Sequence, residues 1–290
     1  YIRLQHSLNK SIYTFALYFF MKKLLTTFAI IFLVACKNTD NNNPPPVADN
    51  SNPPPASITY QVVKIHPHDT ASYTQGLIWQ NGKLYEGTGN IGKSKLRIID
   101  LSSGKAEKEI NLPADEFGEG ITIFNNKIYQ LTWQNNRVHE YDATTFQKIR
   151  DFDWPFQGWG ITHNDSELIV STGSSNLYFV DPVTFKVKKI VGVTDNYGPV
   201  GNLNELEYIN GFVYANIYET NYIVKIDPLT GAVIGKIDLT EIMNKNGVSF
   251  DAQYLEAQGG VLNGIAYDSA KNVLLVTGKF WPALFEIKLN

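Results

Sequence analysis

Five short stretches of one pattern, 40 to 59 residues apart, limit what this sequence can fold into more than any other feature of it. They begin at Gln75 Gly76 Leu77, Glu119 Gly120 Ile121, Trp159 Gly160 Ile161, Asn204 Glu205 Leu206 and Asn263 Gly264 Ile265, and each leads into a short apolar strand. A second strand follows in every copy, starting at Leu84, Ile128, Leu168, Val213 and Leu274. A third strand ends on Asp100, Asp142, Asp181 or Asp227, with Glu286 near the corresponding place in the last copy. Turn pairs such as Asn81 Gly82, Asn125 Asn126 and Asn210 Gly211 separate these strands, and no long segment keeps a helical period. Four copies carry a fourth strand, whereas the fifth reaches Asn290 without one and Ile58 to Ile65 is strand-like with no copy of its own. The expected fold over 58–290 is therefore all-β: a five-bladed β-propeller with four-stranded blades, its ring closed by the N-terminal strand completing the last blade. Ring closure removes strand edges that would otherwise pair with other proteins. The connection from Thr240 to Val261 is longer than the others and is expected to cross one face, with a short helix near Leu239 to Asn244.

The first 57 residues read differently. Residues 1–20 contain no Met, while Met21 is followed by Lys22, Lys23 and the apolar run Leu24 to Val34, which has the form of a signal peptide over 21–35 with Met21 as its start. That run is shorter than the roughly 20 residues a spanning helix needs. It ends in Leu33 Val34 Ala35 Cys36, which resembles a bacterial lipoprotein box. The resemblance implies cleavage before Cys36, lipidation of that residue, and a membrane-anchored domain outside the cytoplasm. Lys37 in place of Asp favours the outer membrane. Residues 36–57 hold two Pro triplets and almost no apolar side groups, the composition of a disordered spacer. A net charge of −3 gives no reason to expect a nucleic-acid partner, and the expected state is a monomer.

Equivalent residues of a propeller lie at one height around its axis. The residues before the first strands form one ring: Gln75, Glu119, Trp159, Asn204 and Asn263. A second ring takes Gly89, Trp133, Gly173 and Tyr218, each fourteen residues after its first-ring partner, and Lys279, sixteen after Asn263. Near-constant spacing puts both rings at the same end of the blades. Their members diverge where neighbouring repeat positions stay Gly, Leu, Ile or Val, as a shaped pocket requires. Aromatic rings around one carboxylate, one ammonium and two amides suit a small amphipathic substrate. Burial would raise the pKa of Glu119 and Lys279 would lower it, a balance that sequence alone leaves open. His66, His68, His139 and His163 lack the spacing of a zinc site and read as surface or turn residues. No G-x-S-x-G elbow or phosphate loop is present.

Several motifs in order, YTQGL, FGEGIT, GWG, LNELEYINGFVYANIY, VLNGIAYD and VTGKFWPALFEIKLN, resemble the plant-type glutaminyl cyclases from about His66 to Asn290. The resemblance implies a transferase that turns the N-terminal Gln of peptides or proteins into pyroglutamate with release of ammonia. It implies no required cofactor and no catalytic metal, with room for a structural cation. By position it implies Glu119 as catalytic acid and base, with Lys279 and Asn204 as further catalytic residues. It implies Gln75, Trp133 and Trp159 as substrate contacts, and Tyr73, Phe117 and Tyr218 complete the expected walls. Tyr73 and Tyr218 stand where the plant enzymes usually have Phe and Trp, which bears on substrate preference. Glu86 is the reserve carboxylate, but its repeat position is mid-strand, where a structural role is expected. A non-catalytic, lipid-anchored propeller binding peptides or glycans is the alternative, and a metal-dependent lactonase-type propeller a further one.

Overall fold

The computed structural model describes residues 52–290. The expectations for Met21, the signal peptide and Cys36 lie outside the described residues. From Thr74 the protein forms blade after blade of four antiparallel strands, each running from the axis outwards. Blade I comprises Thr74–Gln80, Lys83–Thr88, Lys95–Asp100 and Lys105–Asn111, and blade II Gly118–Phe124, Lys127–Thr132, Arg137–Asp142 and Lys148–Asp153. Blade III comprises Ile161–His163, Leu168–Ser171, Asn176–Val180 and Val187–Gly192, and blade IV Leu203–Ile209, Phe212–Ile217, Tyr222–Ile226 and Val233–Asp238. Blade V takes Leu262–Asp268, Val273–Gly278 and Ala283–Leu289 from the end of the sequence and Tyr60–Pro67 from nearer its start, the last two antiparallel with Tyr60 opposite Leu289. The ring closes as the repeat pattern requires.

Residues just before that closing strand, of which composition assigns Ala56 and Ser57 to the spacer, are also placed against the fold. Ala56–Ile58 pairs in parallel with Gly235–Ile237 at the outer edge of blade IV, and Asn52 Nδ2 donates to Thr194 Oγ1 at 2.8 Å. Ile58 packs against the blade IV and V core, and with it the ladder holds Ala56 and Ser57, which composition alone marks as solvated.

The core is divided into five clusters, one at each junction between neighbouring blades. Ile78, Leu96, Ile121 and Ile128 fill the junction of blades I and II, and Leu77, Leu84, Ala266 and Leu275 that of blades I and V. Adjacent residues such as Leu77 and Ile78 thus serve opposite faces of one strand, which is why the strands read in the sequence as continuous apolar runs. The recurrent aspartates close the turns after the third strands: Asp142 Oδ1 accepts from the N–H groups of Thr144 and Thr145, and Asp181 Oδ1 from Val183 and Thr184.

The long connection holds two helices, Ile242–Lys245 near the expected place and an unexpected Ala252–Gln258. Ile242, Met243 and Leu255 bury into the core of blades IV and V, which ties the connection to the body of the propeller. Signals for the second helix were present: the Asp251 carboxylate caps it by accepting from Tyr254 N–H, and Gly259 ends it at φ 71°.

Candidate active site

Where the inner strands begin, they approach the axis too closely for side groups. A Cβ on Gly76 would lie 2.9 Å from Gly120 Cα, and one on Gly120 would lie 2.7 Å from the Trp159 carbonyl oxygen. Blade IV breaks this series with Glu205, which is 1% exposed. Its carboxyl group accepts from Leu77 N–H of blade I at 3.1 Å and Ile265 N–H of blade V at 2.8 Å, so one residue fills the axis and joins three blades. Two residues deeper, Glu207 accepts from Tyr267 N–H at 3.1 Å. Burial pushes both carboxyls up, that of Glu207 to about 8, and the two charges would repel, which raises Glu205 further.

Above this plug, in four of the five blades, the pairing of first and second strands skips at the same point: between Thr74 and Gly76, Gly118 and Ile121, Leu203 and Leu206, and Leu262 and Ile265. Each irregularity falls on a first-ring residue. Bulges of this kind bend a strand and re-aim the residue they carry, so the repeat itself supplies residues to one end of the axis. The second ring is built by a complementary rule. A Cβ on Gly173 would lie 2.6 Å from the Trp159 ring, and one on Gly89 would collide with the Phe117 ring; the two glycines are where neighbouring aromatics lie across their blades.

The result is a cavity of about 280 Å³ lined by Tyr73, Gln75, Phe117, Glu119, Trp133, Trp159, Asn204, Tyr218 and Lys279. These are the nine site residues expected from sequence, brought together from all five blades. Edge-to-face contacts join Tyr73 to Phe117 at 5.8 Å, Phe117 to Trp133 at 5.7 Å and Trp159 to Tyr218 at 5.4 Å between centroids. Lys279 Nζ sits 4.5 Å from the Tyr73 ring centre and 4.8 Å from that of Tyr218, so the two residues that depart from the plant pattern cradle the ammonium.

Glu119 is 4% exposed. Burial raises its pKa well above the usual carboxylate range, while the Lys279 charge and the Gln75 amide pull the other way. Lys279 is held down to about 8 by burial, against the attraction of Glu119 and Glu219. Asn263, the remaining first-ring residue, does not line the cavity; its Nδ2 donates to Thr74 O at 2.9 Å and Gln75 Oε1 at 3.1 Å, which leaves the Gln75 amide nitrogen turned to other partners. Asn204 is 2% exposed, and its Oδ1 has no hydrogen-bond partner among the described residues.

Glu86 lies away from the cavity, between blades I and V, where Arg97 Nε donates to it at 2.9 Å, Thr74 Oγ1 at 2.6 Å, and His68 Nε2 stands 3.0 Å away. It has the structural placement its repeat position implied. Three of the histidines are not the surface or turn residues expected: His66 meets Glu286, His68 meets Glu86, and His139 lies between Glu116 and Asp151, all three buried. Their carboxylate partners come from other strands or connections, and no local spacing announces them. Among the described residues, no group of three or more His, Cys, Asp or Glu is arranged to hold a metal ion.

A buried acid and an ammonium at the end of a propeller axis, walled by aromatics, define a small enzyme pocket. Comparison with known proteins names the class. The family model described as glutamine cyclotransferase matches residues 30–289. A glutaminyl-peptide cyclotransferase of Arabidopsis thaliana is 39% identical over 232 residues, 79% of this chain and 71% of that protein. The crystal structure of Myxococcus xanthus glutaminyl cyclase superposes with a TM-score of 0.74 at 32% identity, over 81% of this chain and 98% of that one. The chain belongs to the glutamine cyclotransferase family and is an enzyme.

Proposed function

We propose that this enzyme is a metal-independent glutaminyl-peptide cyclotransferase in which Glu119 shuttles the protons. The α-amine of an N-terminal Gln attacks its own γ-carbonyl carbon; the new bond to the amine nitrogen forms as the bond from that carbon to the amide nitrogen breaks, ammonia leaves, and a pyroglutamyl end remains. The amine gives a proton to the Glu119 carboxylate, and the resulting carboxyl group returns it to the departing nitrogen. The observation that carries this reading is the placement of Glu119, 4% exposed and the one carboxylate of the cavity lining, where burial raises its affinity for protons towards that of the amine it serves. Lys279 supplies a positive charge for the oxyanion, and the unpartnered Asn204 Oδ1 takes an N–H of the attacking amine. The aromatic walls fold the flexible Gln side group into a reactive shape, and because nucleophile and electrophile belong to one molecule, that restriction supplies much of the rate.

Peptide substrates are supported by the name of the Arabidopsis relative, and metal independence by a lining with one carboxylate and no His or Cys. Ammonia release from a peptide beginning with Gln, with and without chelator, tests both points. Turnover that survives chelation and is lost in Glu119→Gln is expected; activity removed by chelator would overturn the metal-independent mechanism. We also propose export and lipid anchoring at Cys36, supported by the charged and apolar run from Met21 to Val34 and the Leu33 to Cys36 box, with Lys37 favouring the outer membrane. Incorporation of labelled palmitate in cells, abolished by Cys36→Ser, is the expected result, and an unlabelled wild-type protein would sink the idea.

A further inference from the structure

The connection from blade II to blade III, residues 154–160 (WPFQGWG), carries a residue that the cavity lining does not include and no repeat position foretells. Trp133 Nε1 donates to Gln157 Oε1 at 3.0 Å, and Trp159 Nε1 donates to the same oxygen at 3.1 Å. A third indole, Trp154 Nε1, donates to the Gln157 backbone carbonyl at 3.3 Å. Indole N–H groups donate and never accept, so the amide atom between Trp133 and Trp159 has to be oxygen. The backbone here is fixed too. Gly158 N–H donates to the carbonyls of Thr132 and Trp133 at 3.1 and 3.2 Å, and a Cβ on Gly158 would lie 2.7 Å from Leu131 Cβ. Trp154, at the base of the loop, is 1% exposed.

Trp133 and Trp159 come from different blades, and Trp133 is 37% exposed, so packing covers only part of its ring. One acceptor shared by both indoles links their orientations. We propose that Gln157 is a positioning residue for peptide binding: its amide carbonyl sets the spacing and tilt of Trp133 and Trp159, and so the width of the slot between them. This rests on the cyclotransferase reading and extends it, because it assigns substrate fit to a residue outside the cavity lining.

Two variants separate the effects. Gln157→Met keeps length and removes the strong acceptor; Gln157→Glu keeps an acceptor oxygen. In Gln157→Met the indole N–H resonances of Trp133 and Trp159 should shift, while that of Trp154, bonded to backbone, stays as an internal control for the fold. KM for a Gln peptide should rise about threefold to tenfold with kcat nearly unchanged, the pattern of lost uniform binding. Gln157→Glu should restore both readouts towards wild type. Unmoved Trp133 and Trp159 resonances in Gln157→Met overturn the proposal, as do moved resonances with an unchanged KM. A wild-type enzyme without turnover would overturn the cyclotransferase reading as well, whereas turnover with unmoved resonances removes this inference alone.

Discussion

Glu86 and Glu119 are 0% and 4% exposed and lie in neighbouring blades, and they differ in how directly cations meet them: Glu86 is paired with Arg97 and His68 in contact. Burial alone would push Glu86 up, but Arg97 and His68 outweigh it and hold the carboxyl down at about 2. Burial wins at Glu119, where Lys279 is the opposing charge and is itself partly neutralised by its surroundings. The same division recurs elsewhere. Glu116, packed against blade II, meets Arg137 and His139, whereas Glu205 and Glu207 on the axis accept from backbone N–H groups. Away from the axis, then, this fold pairs its buried charges; along the axis burial raises the proton affinity of carboxyl groups that have no ion pair. A carboxyl group that can both take up and give back a proton is what a proton shuttle requires, and the ion-paired carboxylates have lost that freedom.

Changing each acid to its amide should break the comparison in opposite ways. Glu119→Gln should lower kcat by about a thousandfold or more, the scale of a lost general acid and base, while the melting temperature moves little because no ion pair is broken. Glu86→Gln should cost about 3 kcal/mol or more of stability, since Arg97 is left buried with less counter-charge. Activity assays beside thermal melts decide it. An unstable Glu119→Gln with a stable Glu86→Gln would reverse the assignment. Acid sensitivity belongs to Glu86 as well: a lowered folded pKa stabilises fully above the ordinary value of 4.5 and loses that contribution as pH falls towards 2.

Lys279→Met should sharpen the account of the cavity. In wild type, kcat/KM should fall as pH rises past about 8, where the Lys279 ammonium loses its proton. The variant should lose about a hundredfold in rate, the order of one missing oxyanion partner, and that alkaline limb should vanish. Its remaining acid limb should move to higher pH, because burial of Glu119 is then opposed by less positive charge. An alkaline limb unchanged in Lys279→Met would assign it to another group.

The blades and seven of the nine lining residues were legible in the sequence because both depend on repetition, whereas Tyr73 and Phe117 were expected from the resemblance to the plant-type enzymes. Short apolar runs such as the one at Leu77 and Ile78, bounded by turn pairs such as Asn81 Gly82, marked strands, and constant spacing from Glu119 to Trp133 or Asn204 to Tyr218 fixed one end of the axis. What repetition could not reveal is what happens between non-equivalent residues. Gln157 sits in a connection, Asn263 supports Gln75 instead of facing the cavity, and the partners of His68 and His139 come from elsewhere in the blades. Glu205 was visible as the exception in a column of glycines, but that it takes N–H groups from two other blades follows from closure of the ring. The helix at Ala252–Gln258 had its cap residues in plain view and too short an apolar period to outweigh the surrounding strands.

The smallest effect is the one that isolates the axis from the cavity. Glu207 carries a folded pKa of about 8 against an ordinary 4.5, so it folds as a neutral acid. A raised folded pKa gives stability that is complete below about 4.5 and disappears as pH climbs through about 8, because the unfolded state releases its proton first. Glu207→Gln keeps an oxygen for Tyr267 N–H and cannot ionise. Near pH 5 the two proteins should melt within a few degrees of each other, and the wild type should fall progressively behind as pH rises from there, the gap being complete by about pH 8 and constant above it, with catalysis affected no more than stability. Parallel melting curves across that range would mean that Glu207 is already ionised in the folded protein, and the contrast between ion-paired carboxylates and those with raised proton affinity would then stop at Glu119 and Glu205.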